Sequence, residues 1–117
     1  MQYLLLCCFN EAQWARLPDA ERGTIMGEYG KLIQELKTSS RLLAGAKLDQ
    51  CASAVTVREK NGKPFITDGP FAETREQLGG YHLIECQDRD EAVSIARRIP
   101  TLPAGGTIEV RPVLQLE

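Results

Sequence analysis

The residue types able to do chemistry are concentrated between positions 67 and 82. Thr67, Asp68, Glu73, Thr74, Arg75 and Glu76 surround Phe71, and His82, the single histidine of the chain, follows closely. A carboxylate held at the rim of a pocket can orient a small polar substrate or take a proton from it, and this is the catalytic role given to Asp68. The forked guanidinium of Arg75 would answer an anionic group. Phe71 offers an apolar face, and His82, with an ordinary pKa of about 6.5, would bind the same ligand and could exchange protons near neutral pH. Asp68-Gly69-Pro70 also has a structural explanation. Asp accepts N–H groups two residues on, Gly permits positive φ and Pro fixes the exit, so Asp68 could simply tie a turn while Phe71 plugs the core. His82 alternates with Ile84 and Cys86, the pattern of a half-buried strand histidine.

Other chemistries find no support. There is no Walker loop, no Gly-x-Gly-x-x-Gly after a strand, no nucleophile elbow and no metal-spaced His/Glu set. Gly79-Gly80 and Gly105-Gly106 are isolated pairs and read as turn or strand-entry devices. Cys7, Cys8, Cys51 and Cys86 form no C-x-x-C pair, and His82 completes no zinc spacing. Four reduced thiols packed as small hydrophobes are expected, with neither metal nor cofactor. A net charge of −2 without a long Lys/Arg run argues against direct nucleic-acid or anionic-membrane binding. The longest apolar run, Tyr3 to Phe9, is far short of the roughly 20 residues of a membrane helix. No basic residue precedes that run, so a signal peptide is rejected and a cytoplasmic location is expected.

The elements that must position these residues fit one domain over 1–117. The chain is 43% hydrophobic and 26% charged, which excludes a disordered class. Residues 2–9 predict a strand, apolar at both parities and so covered on both faces. Residues 10–17 read as a connector carrying Trp14. Pro18 opens a helix over about 18–39, with Ile25, Met26, Tyr29, Leu32, Ile33 and Leu36 at helical spacing. Gly23, Gly27 and Gly30 fall on another stripe of that helix, either a tolerated surface or a face approached by a partner. Leu42 to Ala44 can form a short strand ending at Gly45. Asn61-Gly62 between 53–58 and 63–67 signals a hairpin. Residues 68–80 read as a loop with a helical turn at 73–77, and 81–86 as a strand. Asp88 and Glu91 start a second helix that Pro100 ends, with Arg97-Arg98 favouring its negative end. Residues 108–113 form the last strand, at an edge because of Pro112.

The order β-α-β, hairpin, β-α-β predicts an α+β fold, a ferredoxin-like sheet with both helices on one face. The second face then needs cover. The hairpin could supply part of it, and a second subunit packed sheet against sheet is the simpler answer, so a homodimer is expected.

The segment DGPFAETREQLGGYHLIE, Asp68 to Glu85, resembles the signature of the YCII-related proteins, DGPF subgroup. The resemblance extends to MQYLLL, RLLAGAKL and IEVRPV. It implies a dimeric α/β barrel and a small-molecule pocket marked by Asp68. It implies, as the alternative, a non-catalytic module associated with a sigma factor of the extracytoplasmic-function type, since some relatives occur beside or fused to one. A branch of the family is proposed to hold a His-Asp dyad. Its histidine would fall around Met26 to Tyr29, where this chain has none, and His82 does not inherit that place.

Overall fold

Alternation sets the first element. In the computed structural model, which describes residues 1–115, Gln2–Phe9 forms β1. Tyr3, Leu5 and Cys7 are buried on one face, while Leu4, Leu6 and Cys8 are half-buried on the other. The expected connector after it is instead a short helix, α1 (Glu11–Arg16). Asn10 caps it by accepting from the Gln13 N–H at 2.8 Å, a cap signal that outweighs the brevity of the segment. Pro18 then precedes α2 (Asp19–Thr38), whose Leu32 and Leu36 are buried. Each such side chain contributes about 1.5–3 kcal/mol of apolar burial.

β2 (Leu42–Lys47) does not stop at Gly45 but runs on beside β5 (Gln77–Glu85). Between them, β3 (Val55–Lys60) and β4 (Lys63–Asp68) make the predicted hairpin. Asn61 and Gly62 both take positive φ, 53° and 76°, as a tight two-residue turn demands. The helical turn expected at 73–77 is absent, because Gln77 already pairs with Phe9 at the start of β5. Gly79 and Gly80 therefore lie inside a strand, at a register shift opposite Cys7 and Cys8. Asp88 caps α3 (Arg89–Ala96) by accepting from the Glu91 N–H at 2.9 Å. β6 (Thr107–Pro112) closes the order. Arg98 does more than face a helix end: it pairs with Glu35 and ties the end of α3 to α2.

The main sheet is antiparallel with strand order β2-β5-β1-β6, so β6 and its Pro112 are at an edge as predicted. Two β-α-β halves interleaved in this way form a ferredoxin-like α+β arrangement. Tyr3, Leu5 and Ile84 on the sheet meet Leu32, Leu36, Ile95 and Ile99 from the helical side to make the core. The β3–β4 hairpin forms a separate two-stranded sheet whose side chains are largely exposed, so it does not cover the second face of its own main sheet. Among the described residues no helix is long and apolar enough to cross a membrane.

Candidate functional site

One end of the sheet opens into a cavity of about 160 Å³ on the helix side. Strand alternation aims Cys7 of β1 and His82 of β5 towards the helices, and helical periodicity aims Tyr29 of α2 back at them. Phe9 and Trp14 form an apolar wall, their rings 6.2 Å apart and nearly perpendicular. Met26 and Lys47 stand at the exposed rim. α1 carries Trp14 into place because the Glu11 N–H donates to Gln77 Oε1 at 2.9 Å.

At the base of the cavity three polar groups form a chain. Tyr29 Oη lies 2.5 Å from His82 Nε2 and 3.4 Å from Cys7 Sγ. Burial lowers the His82 pKa below its ordinary value, so the ring is neutral near pH 7. Burial, reinforced by the contact with Cys7, pushes the Tyr29 phenol well up, so it keeps its proton. Burial likewise raises the Cys7 thiol, which is no nucleophile at neutral pH.

A neutral imidazole carries one N–H, and no protein group among the described residues reaches His82 Nδ1. A proton on Nδ1 would be a buried donor without an acceptor. A proton on Nε2 is donated to Tyr29 Oη and leaves only a bare lone pair, the cheaper defect. The phenolic O–H is then free to donate, to Cys7 Sγ when the cavity is empty and to an acceptor placed in it otherwise. The imidazole fits because the opposite residue is Gly45: a Cβ there would sit 2.7 Å from Nδ1. The group thus offers one proton donor at the end of an apolar slot.

Of the residues singled out in the sequence, His82 lines this cavity; Asp68, Phe71 and Arg75 do not. Asp68 ends β4 and is exposed, paired through its backbone with Val55. The turn after it is closed by Gly69 N–H to Ala54 O at 2.7 Å and Thr56 Oγ1 to Gly69 O at 2.7 Å. The Asp68 carboxylate takes part in neither. Phe71 is no core plug: it is 77% exposed, on the border of a shallow groove between residues 48–56 and 70–78. Arg75 is exposed. The structure therefore joins His82 to Tyr29, not to Asp68. Tyr29 had a sequence signal only as one residue of an apolar stripe, Trp14 only as part of a connector, and Gly45 only as the end of a short strand. Tyr29 does stand where the resemblance would place a dyad histidine. Among the described residues no three His, Cys, Asp or Glu side chains gather to hold a metal ion.

The chain is similar to solved and curated proteins along nearly its whole length. A protein of Rhizobium meliloti (strain 1021), named Uncharacterized protein R00369, is 34% identical over 114 residues, covering 97% of this chain and 92% of the relative. A solved structure, 5-chloro-2-hydroxyhydroquinone dehydrochlorinase (TftG) from Burkholderia phenoliruptrix AC1100 in complex with 2,5-dihydroxybenzoquinone, superposes with a TM-score of 0.52. It is 14% identical, over 93% of this chain and 91% of that one, a likeness of fold. With a family model matching residues 1–117, the chain belongs to the YCII-related domain family.

Proposed function

We propose that this protein is a homodimer that binds a small ring-bearing molecule in the Tyr29–His82 cavity and polarises it by donating a hydrogen bond. The carrying observation is the 2.5 Å contact between Tyr29 Oη and His82 Nε2 at the base of an apolar slot. A cavity of about 160 Å³ is the size that accepts a benzene-sized ring. Tyr29, protonated throughout the neutral range, donates a hydrogen bond to an oxygen that gains negative charge, and the His82 N–H behind it strengthens that bond by donating to the phenol oxygen. The solved relative whose complex holds 2,5-dihydroxybenzoquinone supports a ring of this size for the fold. Asp68, with Phe71 and Arg75, enters as a second contact set on the exposed hairpin side, for a ligand or subunit that reaches it. The alternative, an interaction module working with a sigma factor, has the bare α2 face at Gly23, Gly27 and Gly30 in its favour.

A thermal-shift screen of hydroxylated six-membered-ring compounds tests this. A ligand at about 100 times its Kd adds roughly 2.7 kcal/mol to the wild type. The shift is expected to vanish in Tyr29→Phe and to survive in Asp68→Ala. An unchanged shift in Tyr29→Phe refutes the site. No shift with any compound, together with recovery of a sigma factor by the purified protein, decides for the interaction module.

A further inference from the structure

Among the described residues the β3–β4 hairpin pairs only with itself and stands as an arm apart from the main sheet. A lone two-stranded hairpin is marginal in water and needs a surface against one face. One face of this arm is in use. Thr56 Oγ1 donates to Gly69 O, and Arg58 Nη2 donates to Phe71 O at 2.6 Å, which folds residues 69–71 back along it. The other face carries Val55, Val57 and Ile66, with Val57 directly opposite Ile66. They are 58%, 65% and 68% exposed. The main sheet has an unmatched apolar surface of its own, the half-buried Leu4, Leu6 and Leu83 on the face away from the helices.

The area of the chain says how much is unmatched. A folded monomer of 13.0 kDa exposes about 6,300 Å². This chain exposes 8342 Å², an excess of about 2,000 Å². A standard interface takes about 800 Å² from each partner, and obligate dimers take more. Its radius of gyration, 16.2 Å, likewise exceeds the roughly 13 Å of a compact chain of this length. Both unmatched surfaces belong to the same chain and are not packed on each other. A second copy would supply each arm with the surface it lacks, and two-fold symmetry would satisfy both arms at once.

We infer that the arm embraces a second copy of this chain, its Val55, Val57 and Ile66 face packing on the partner protomer and continuing the interface made by the open sheet face. The inference rests on the homodimer proposed above and adds which segment crosses. Light scattering after size exclusion tests it on the wild type, Val57→Asp/Ile66→Asp, Val57→Thr/Ile66→Thr and Leu6→Asp/Leu83→Asp. The expected result is a wild-type dimer, with dimerisation weakened at least about tenfold in both arm variants. The Thr pair keeps strand-forming residues, so it reports on the arm if the Asp pair fails to fold. Arm variants that dimerise like wild type while Leu6→Asp/Leu83→Asp does not overturn the crossing arm and leave the homodimer standing. A monomeric wild type overturns both.

Discussion

Replacing Tyr29 by Phe removes one oxygen and nothing else, yet it strands a buried imidazole. The Nε2–H of His82 loses its acceptor at 2.5 Å, while Nδ1 has no partner among the described residues to begin with. Leaving a buried donor unpaired costs about 1–3 kcal/mol. With an unfolding entropy of roughly 0.25 kcal/mol/K for a chain of this length, Tm should fall by about 4–12 °C. The informative experiment is the double-mutant cycle with His82→Leu, read by urea unfolding. His82→Leu alone leaves the phenol with only the 3.4 Å contact to Cys7. Removing both groups deletes donor and acceptor together, so the double variant should lose less than the sum of the singles, with a coupling of about 0.5–3 kcal/mol. Additivity within about 0.5 kcal/mol would show that the two groups do not interact, and the proton-donor site would fall with them.

Two further outcomes follow from the same pair of side chains. Burial holds the folded-state pKa of His82 below the unfolded value of about 6.5, so the unfolded chain binds the proton first as the pH falls. Stability is therefore full above about pH 6.5, falls below it by at most about 1.4 kcal/mol per pH unit, and levels off once the folded ring protonates. Urea midpoints of wild type minus those of His82→Leu isolate this slope from the carboxylates, and a flat difference refutes it. Gly45→Ala places a Cβ 2.7 Å from His82 Nδ1 and 3.0 Å from Tyr81 O, so it should cost about 1–3 kcal/mol and displace the imidazole from Tyr29. A variant as stable as wild type, with unchanged His82 ring resonances, would contradict the close approach.

The elements were readable where one local signal dominates. Asn61-Gly62 specifies its turn by backbone geometry alone, and Asp88 with Glu91 specifies a helix start by capping. The sheet order follows once the β-α-β halves are recognised. Local signals mislead where tertiary pairing overrides local preference. Gln77 to Gly80 look like loop but are drawn into β5 by Phe9, Cys8 and Cys7 across the ladder. Gln77 also anchors α1 through Glu11, a contact between residues 66 positions apart that no local window contains. The site was half legible. His82 stood out as the only histidine, and its strand parity gave its face. Its partner is a tyrosine on an apolar helical stripe, indistinguishable in sequence from a core residue. Asp68 is ambiguous in sequence because turn chemistry and catalytic chemistry favour the same residue types. The structure brings Asp68 neither to His82 nor into the hydrogen bonds that close its turn.

The molecule is a slab, 48 by 46 by 19 Å, with one layer of helices on the main sheet and the β3–β4 hairpin as a separate sheet. So thin a body has no interior to spare: among the described residues, Leu5 and Ile84 are the only large side chains fully enclosed. The floor of the cavity is the sheet itself, and Cys7, Tyr29 and His82 belong to the site and to the packing of the slab at once. A change of ligand preference made at the floor is therefore also a change of foldedness. Inheritable variation in specificity is cheapest at the rim, where Met26 and Lys47 face outward and substitution leaves the packing intact. Descendants of such a protein would diverge in what they bind by altering the mouth while keeping the floor.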